Sequence, residues 1–413
     1  MRDTELYRHL LGLEPPWFVS NVELNVKDQR VDVWTEHKER VLWPCPICGK
    51  PLPLYDHTEE RVWRHLDSCQ FMTYLHARPP RVECPEHNVH QVKLPWAEER
   101  SRFTAMFERL AIDVLQESSV AGAMRILRVS WDEAWGIMVR AVRRGMAAKE
   151  DRVVEYLGVD EKSVARGHTY FTIVCDLELG TVEYVANDRK QTSLDGYFKG
   201  LTEEQLEGIE GIAMDMWDPY VGSVLEHVPD GREKIVFDRY HIMKHMNDAV
   251  DSVRKGEHKE LLKDGDESLK RTKYLWLYAG ENLPERHRER FEALKAQDLR
   301  TGRAWAIKEN LRELWNSPTR EWAVEHWMNW YSWARRSRLR PIEDKARMLA
   351  AHIDNILTYF THCITNALTE AVNSTIQKLK KMAYGYRNRE NFKTAIYFHC
   401  GGLQLYPTHT IPG

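Results

Sequence analysis

The sequence predicts a multidomain α+β protein in which two small modules precede an α/β domain that an all-helical insertion interrupts. Three observations support this prediction. Cysteine and histidine pairs fall between residues 41 and 98, helical periodicity fills residues 99–150, and short apolar runs typical of strands begin after residue 151. A charged, Trp-rich stretch at 256–350 then separates the last of these runs from a final helical segment.

Length and composition fit a globular protein of several domains. The 413 residues suffice for about two to four domains with a real core. No apolar run approaches the roughly 20 residues that a membrane span needs. The seven cysteines are unevenly spaced, so a disulfide framework is not expected. Since the N-terminus also lacks a signal-peptide pattern, we expect a cytoplasmic protein with no membrane partner.

Charge gives weak guidance about partners. The net charge of −3 offers no support for nucleic-acid binding, because proteins of that class are often basic. Two basic clusters nevertheless stand out, and either a solvated helix face or a phosphate track explains each of them. Their members are Arg335, Arg336, Arg338 and Arg340 in the first, and Lys378, Lys380, Lys381, Arg387, Arg389 and Lys393 in the second.

Paired ligand-type residues within 41–98 predict a zinc site. The pairs, each with two residues in between, are Cys45 with Cys48 and Cys84 with His87. Such a pair on a turn aims two ligands at one point, which suits tetrahedral zinc. The segments 61–66 and 71–75 predict strands of a ribbon, and Cys69 or His90 could replace His87 as the fourth ligand. Ordinary buried thiols beside a surface histidine are the competing interpretation.

Residues 99–150 predict three helices. The apolar residues that repeat at helical spacing at the start are Phe103, Phe107, Leu110, Ile112 and Leu115. Small residues after Ser119, a turn at 128–130 and a further helix from Trp131 resemble a helix-turn-helix, although any three-helix bundle has a similar pattern. The basic residues near the end of the last helix are the expected DNA contacts: Arg140, Arg143 and Arg144.

From residue 152 the pattern predicts alternating strands and helices. Strands are expected at 153–159, 169–175, 181–186, 209–214 and 234–237. A hairpin joins the second and third, Thr192 and Ser193 are expected to cap a short helix after the third, and helices follow the fourth and the fifth. A meander of three strands followed by two αβ units is the order of a ribonuclease-H-like fold.

Acidic residues follow three of these strands, and another lies far downstream on the helix expected after residue 353. They are Asp160, Asp215, Asp238 and Glu370. In a ribonuclease-H-like fold the first strand is central and the fourth lies beside it, so Asp160 and Asp215 would be neighbours. A few carboxylates can hold two divalent metal ions about 3.5–4 Å apart for work on a phosphodiester. The sequence therefore predicts an enzyme that acts on nucleic acid.

The chain resembles the DDE transposases of the ISL3 insertion-sequence family over nearly its whole length. The segments that carry this resemblance are Gly158-Val-Asp-Glu161, Gly167-His-Thr-Tyr170, Asp215-Met216 with Tyr220, Asp238-Arg-Tyr-His241, Thr369-Glu-Ala-Val-Asn373 and Ala383-Tyr-Gly-Tyr-Arg-Asn388. Cys45 and Cys48 together with Arg81-Val-Glu-Cys-Pro-Glu-His87 resemble the zinc ribbon of that family.

The resemblance implies a site and a reaction. Asp160, Asp215 and Glu370 would form a metal-binding triad for two Mg²⁺ or Mn²⁺ ions, with a structural Zn²⁺ in the ribbon. Asp238 and His241 match an Asp-x-x-His signature of related transposases, and would steady the scissile phosphate or the active-site strand. The implied reaction is cleavage at the terminal inverted repeats of an insertion sequence, followed by strand transfer.

The resemblance also implies partners and a domain order. The partners are double-stranded DNA, from element ends and target, and further copies of the chain in a homodimer or larger assembly at the bacterial nucleoid. The basic residues expected on DNA after the triad glutamate are Lys378, Lys380, Lys381 and Arg387. The expected segments are an N-terminal segment at 1–40, the zinc ribbon at 41–98, the helix-turn-helix at 99–150, the catalytic domain at 151–255 and 351–413, and the helical insertion at 256–350.

Several alternatives stay open. Glu161 could be the first acid, although strand alternation points it away from its neighbour. An aspartate at a strand end is often only a turn former. The Trp residues of the insertion are interpreted as core, with a base-stacking role for one of them as the alternative. For the whole protein, the rivals are a catalytically inactive DNA-binding descendant and a structure-specific nuclease without strand transfer.

Overall fold

The computed structural model describes residues 2–165 and 169–408. The chain forms two compact units. The first unit comprises Met1–Glu150 and Lys381–Gly413, and the second comprises Asp151–Lys380. Gly167 and His168, which belong to one segment of the family resemblance, lie outside the described residues. Within the described chain, no helix has both the length and the apolar character that crossing a membrane requires.

The first unit opens with a helix followed by short strands. In chain order these are α1 (Asp3–Leu10), β1 (Trp17–Asn25), β2 (Arg30–His37), β3 (Trp43–Pro44), β4 (Pro51–Leu52), β5 (Asp56–His57), β6 (Arg61–Arg64), β7 (Met72–Ala77), β8 (Pro80–Cys84) and β9 (Asn88–Gln91). β1, β2, β7 and β6 form one sheet in that order, β5, β8 and β9 form another, and β3 pairs with β4.

A mixed sheet joins strands of the N-terminal segment, residues 1–40, to the strands predicted for the zinc ribbon. β2 pairs in parallel with β7, from Arg30 opposite Met72 to Thr35 opposite Ala77. The two predicted ribbon strands therefore belong to a sheet that also contains the N-terminal segment. Buried and less buried residues alternate along β2, as expected for a strand with one face on the core.

The three helices predicted for 99–150 are confirmed as α2 (Ala105–Glu117), α3 (Val120–Leu127) and α4 (Trp131–Ala147). Each follows an N-cap residue whose hydroxyl oxygen accepts a hydrogen bond from a backbone N–H in the first turn of the helix. The N-cap residues are Thr104, Ser119 and Ser130 in turn. Ser130 and Glu133 form a reciprocal capping box. Arg128 ends α3 with a φ of 55°, which produces the sharp turn before α4.

The second unit contains a five-stranded sheet. Its elements in chain order are β10 (Tyr156–Ala165), β11 (Thr169–Asp176), β12 (Thr181–Asn187), α5 (Gln191–Phe198), α6 (Glu203–Glu207), β13 (Gly211–Met214), α7 (Asp218–His227), α8 (Gly231–Lys234) and β14 (Ile235–Phe237). The strand order is β12-β11-β10-β13-β14. β11 is antiparallel to β10 and β12, whereas β13 runs parallel to β10 and β14. The predicted first strand is therefore central, with the fourth beside it.

Ser193 takes part in capping the predicted short helix, as part of a capping box at the start of α5. Its hydroxyl oxygen accepts from the backbone N–H of Lys190, the residue before the helix, at 3.4 Å. The same hydroxyl donates to the backbone oxygen of Asn187 at 2.7 Å, which ties the helix start to the end of β12.

The region between β14 and Glu370 is helical, as predicted. It contains α9 (Arg239–Leu261), α10 (Lys273–Leu277), α11 (Glu285–Lys295), α12 (Arg300–Arg312), α13 (Arg320–Arg335) and α14 (Arg340–Ala350). The interpretation of its Trp residues as core is confirmed for four of them, which are buried: Trp276, Trp315, Trp327 and Trp330. Trp322 and Trp333 are exposed instead.

The chain after residue 353 forms several helices where one was expected. α15 (Ile353–Leu357) and α16 (Tyr359–His362) are short, and Cys363 ends α16 with a left-handed φ of 54°. α17 (Ala367–Met382) then carries Glu370. The last helix, α18 (Arg389–Cys400), belongs to the first unit, where Ala395 and Phe398 join the core of α2–α4.

Candidate active site

The carboxyl ends of three neighbouring strands meet at one edge of the five-stranded sheet. Parallel pairing of β10 with β13 ends at Val159 and Met214, and that of β13 with β14 ends at Met214 and Phe237. The residues that directly follow are Asp160, Asp215 and Asp238. β10 continues to Ala165 in antiparallel pairing with β11, so Asp160 lies inside a strand and not at its end as expected.

Close packing of α17 on β10 brings the distant acid to the same edge. A Cβ atom at Gly158 would lie 2.1 Å from Oγ1 of Thr369 and 3.2 Å from Oδ1 of Asn366. The bare glycine therefore lets α17 approach the strand. Thr369 is fully buried in this contact, and Glu370 follows it directly in α17. About one turn further along the helix, Nδ2 of Asn373 donates to Oδ2 of Asp160 at 2.5 Å.

A cleft of about 740 Å³ contains all the predicted catalytic residues in its walls, namely Asp160, Asp215, Asp238, His241 and Glu370. Ligand atoms of Asp215, Asp238 and His241 lie within 4.8 Å of one another. Nδ1 of His241 contacts the Asp215 carboxylate directly. Asp160 and Glu370 face the same cleft without joining that closest group of described residues.

The electrostatics of this edge favour a bound cation. Burial, together with the nearby Asp215 carboxylate, raises the pKa of Asp160 to about 6. Burial also raises the pKa of Asp238, although the backbone N–H of Tyr240 donates to its carboxylate at 2.9 Å and opposes the shift. For His241, burial lowers the pKa, but the hydrogen bond to Asp215 and the negative charges of Asp215, Asp238 and Asp160 together outweigh burial, and the net shift is upward. Partly buried carboxylates that repel one another fit hard cations such as Mg²⁺.

The Asp160 carboxylate makes the stability of the unloaded protein depend on pH. Its pKa rises from an ordinary 3.8 to about 6 on folding, so its contribution to stability is complete below pH 4 and is lost as the pH rises through 6. In magnesium-free buffer at pH 7.5 we expect the free energy of unfolding of Asp160→Asn to exceed that of the wild type by up to about 3 kcal/mol. Urea unfolding from pH 4 to 8 measures the difference, which should vanish near pH 4. A constant difference across this range would contradict the assignment.

The Gly158–Thr369 contact predicts a second effect. Gly158→Ala should lower the free energy of unfolding by about 1–3 kcal/mol, because the new methyl group overlaps Thr369. It should also slow any metal-dependent activity, since α17 must move away with Glu370. The matched control is Gly256→Ala in α9, where a Cβ meets nothing within 4 Å and helix propensity should raise stability by up to about 1 kcal/mol. Equal stability of the two variants would contradict this packing.

Glu161, the alternative first acid, has a different partner. Its carboxylate accepts from Nη1 of Arg189 at 2.9 Å, and both residues line the cleft. The Arg189 guanidinium lies 4.4 Å from the ring centroid of Tyr170 and 4.7 Å from that of Trp217. Arg189 was not predicted as a site residue, because no sequence motif surrounds it.

The four predicted zinc ligands converge in the first unit. Their ligand atoms all lie within 4.8 Å of one another. The Cys48 and Cys84 sulfurs are 3.9 Å apart, and Nδ1 of His87 lies 3.3 Å from the Cys84 sulfur and 4.0 Å from that of Cys45. Bond lengths of about 2.0–2.3 Å around tetrahedral zinc give edges of similar length, so these residues fit the metal. Cys69 and His90, the alternatives for His87, lie outside this group of described residues.

Two of the arginines predicted to contact DNA have partners within the protein. Arg140 donates to Oε1 of Glu108 at 3.0 Å through Nε. Arg144 donates to the other oxygen of Glu108 at 3.1 Å and to Glu98 at 2.8 Å. Glu108 is buried, so the two cations of this helix face neutralise it, and removing them would leave a buried charge unpaired. Arg143 lies on the exposed face of α4.

Comparison with known protein families agrees with this architecture. An ISL3 family model described as a transposase matches residues 157–396, which is more than half of the chain. The chain belongs to the ISL3 family of transposases. A model of the zinc finger of transposases IS204, IS1001, IS1096 and IS1165 matches residues 42–87, and one of the helix-turn-helix domain of transposase family ISL3 matches residues 92–142.

Relatives of this ISL3-family chain match over most of their lengths. The transposase for insertion sequence element IS1557 of Mycobacterium tuberculosis is 26% identical over 421 residues, covering 94% of the chain and 93% of the relative. The transposase for IS1001 of Bordetella parapertussis is 25% identical over 352 residues, covering 84% of the chain and 86% of the relative.

The family matches of the transposase coincide with the zinc site and the acidic cleft of the structure. The zinc-finger match contains all four converging Cys and His residues, which supports structural zinc. The helix-turn-helix and transposase domains imply DNA binding. The transposase match also spans every residue of the acidic cleft.

Proposed function

We propose that the chain is a DDE transposase that binds the terminal inverted repeats of its insertion sequence, then cleaves and transfers DNA strands with two divalent metal ions. The observation that carries this proposal is the convergence of Asp160, Asp215 and Glu370 on one cleft of the transposase domain. The strand order β12-β11-β10-β13-β14, with a parallel half and an antiparallel half, supports a ribonuclease-H-like assignment of the sheet.

We assign the three acids of the triad to metal binding and their neighbours to positioning. When bound, the metal ions activate the attacking water or 3′ hydroxyl and stabilise the departing oxygen. Asn373 holds Asp160 through its amide hydrogen bond. Asp238 accepts from the backbone N–H of Tyr240 at the start of α9. That helix start carries His241 to Asp215, where the imidazole steadies the carboxylate.

DNA recognition is assigned to the zinc ribbon, the helix-turn-helix and exposed basic residues. Phosphate contacts supply most of the affinity and little of the specificity. Among the basic residues predicted to contact DNA, the exposed ones are Arg143, Lys378, Lys381 and Arg387. Lys380 is half-buried, and its ammonium group lies 3.5 Å from the backbone oxygen of Ser163. Since two element ends must be held together, we include a homodimer or larger assembly in the proposal.

The proposal is tested with a duplex that carries one element end and a supercoiled target plasmid. With Mg²⁺ or Mn²⁺ we expect cleavage at the end of the repeat and joining of the freed 3′ hydroxyl to the plasmid. Ca²⁺ should support binding and little cleavage. Cleavage without joining would favour a structure-specific nuclease, and binding without cleavage in Mn²⁺ would favour an inactive DNA-binding descendant.

A further inference from the structure

The carboxyl end of β12 lies at the same edge of the sheet as the acids. β11 is antiparallel to both β10 and β12, so β12 and β10 run in the same direction. Arg189 follows the end of β12, and its side chain lines the acidic cleft together with Asp160 and Asp215. In the strand order, β12 lies on the side of β10 away from β13 and β14. The roles assigned above to the triad and its neighbours leave this arginine unused.

Three neighbours hold the Arg189 guanidinium in the cleft wall. The ring centroids of Tyr170 and Trp217 lie 4.4 and 4.7 Å from it. Nη1 donates to both carboxylate oxygens of Glu161, at 2.9 and 3.1 Å. The indole Nε1 of Trp217 also donates to the backbone oxygen of Arg189 at 3.1 Å. The side chain is therefore ordered before a ligand arrives, which reduces the entropy lost on binding.

The guanidinium keeps two N–H groups available for a ligand. Nε and Nη2 make no hydrogen bond to the described residues, because the contacts of this side chain with Glu161 use Nη1. The Arg189 side chain is 35% exposed, so a ligand in the cleft can reach it. Nε and Nη2 point the same way and form a fork that matches two oxygens of a phosphate.

A DNA strand brings further negative charge to a cleft that already contains several carboxylates. Bound metal ions offset the acids at the scissile phosphate, whereas the neighbouring phosphates of the strand need other cations. Lys162 and Lys244 also line the cleft, but each offers a single ammonium group on a flexible stem. Arg189 differs from both lysines because its position is fixed and its fork matches a phosphate.

We propose that Arg189 binds a phosphate of the cleaved DNA strand, on the β12 side of the scissile phosphate, and that Glu161 is the positioning residue for its guanidinium. The inference rests on the proposed function, which brings the strand into the acidic cleft. The arginine then aligns the strand on the metal site from the side of the sheet opposite β14. Glu161 acts on DNA through Arg189 and needs no metal ion of its own.

The test is a set of cleavage rates in Mg²⁺ on element-end duplexes in which each phosphate near the cut is replaced in turn by a neutral methylphosphonate. On the unmodified duplex, Arg189→Gln should slow cleavage by about 10- to 150-fold, the range expected for one hydrogen-bonded contact to a charged group. At one modified position this variant and the wild type should cleave at the same rate, because the contact is already lost. Glu161→Gln should show a smaller loss that disappears at the same position.

The matched control is Arg232→Gln. Arg232 is exposed on α8, which precedes β14, and it lies outside the cleft wall, so every rate should equal that of the wild type. The amide introduced by Arg189→Gln can still donate to Glu161, and we expect this variant to fold. The wild-type scan itself should reveal a sensitive phosphate besides the scissile one.

Three results would overturn the inference while the wild type still cleaves. These are a wild-type scan with no sensitive phosphate besides the scissile one, wild-type rates for Arg189→Gln, and an equal loss for that variant at every modified position. The last result would make the pair of Arg189 with Glu161 purely structural. Absence of cleavage by the wild type on the unmodified duplex would overturn the proposed function as well.

Discussion

Asp160→Asn, Asp215→Asn and Glu370→Gln should each cleave element ends at least about 1,000-fold more slowly than the wild type. The metal ions held by these acids contribute several kcal/mol of charge stabilisation in the transition state, and a neutral amide binds them far less well. DNA affinity should stay within a few-fold, since the zinc ribbon and the helix-turn-helix carry the binding. Single-turnover cleavage in Mg²⁺, with binding measured in Ca²⁺, separates the two effects.

The matched control for the triad is an acid at the opposite end of the same sheet. Glu210 precedes β13, and its carboxylate accepts from the Tyr156 hydroxyl at 2.6 Å. Glu210→Gln should cleave at the wild-type rate. A metal ligand is expected to contribute several kcal/mol to stabilising the transition state. If a triad variant cleaves within about tenfold of the wild-type rate, its residue does not belong to the triad.

Among the substitutions in the first unit, loss of one zinc ligand should have the largest effect on its folding and on DNA binding. Cys84→Ser should abolish stoichiometric zinc and DNA binding, because structural zinc contributes about 10–16 kcal/mol of apparent binding free energy to folding. Zinc content by mass spectrometry and near-UV circular dichroism measure the two consequences.

Cys69→Ser is the control for the zinc ligand. Cys69 is exposed and lies outside the group of converging ligand atoms. This variant should therefore keep its zinc and its DNA affinity. Loss of zinc from Cys69→Ser, or its retention by Cys84→Ser, would contradict the assignment of the ligands.

The five-stranded sheet could be predicted from the sequence because its strands are short apolar runs, two of which are directly followed by Asp215 and Asp238. The hairpin between β11 and β12 has clear turn residues, and β13 and β14 alternate with helices, so the order followed directly. The N-terminal strands β1 and β2 were not predicted, because β2 pairs with β7 about 40 residues downstream and β1 joins the sheet through β2. Local pattern predicts an element, and long-range pairing decides which sheet it joins.

The roles of single side chains depended most on contacts that the sequence does not reveal. Arg140 and Arg144 were interpreted with Arg143 as one basic cluster, yet α4 turns the first two toward Glu108, more than 30 residues away. Gly158 was part of a family motif, but its physical reason is Thr369, which is distant in the chain. Only the folded structure therefore distinguishes charged side chains that have internal partners from those that are exposed.

The most direct test of the proposed mechanism is a crystal structure of the full chain with element-end DNA and Mn²⁺, located by anomalous scattering. We predict two Mn²⁺ peaks about 3.5–4 Å apart in the acidic cleft, coordinated by the carboxylates of Asp160, Asp215 and Glu370 and by the DNA phosphate. Mn²⁺ bound elsewhere, with these three carboxylates uncoordinated beside the DNA, would contradict a metal-dependent DDE site in this chain.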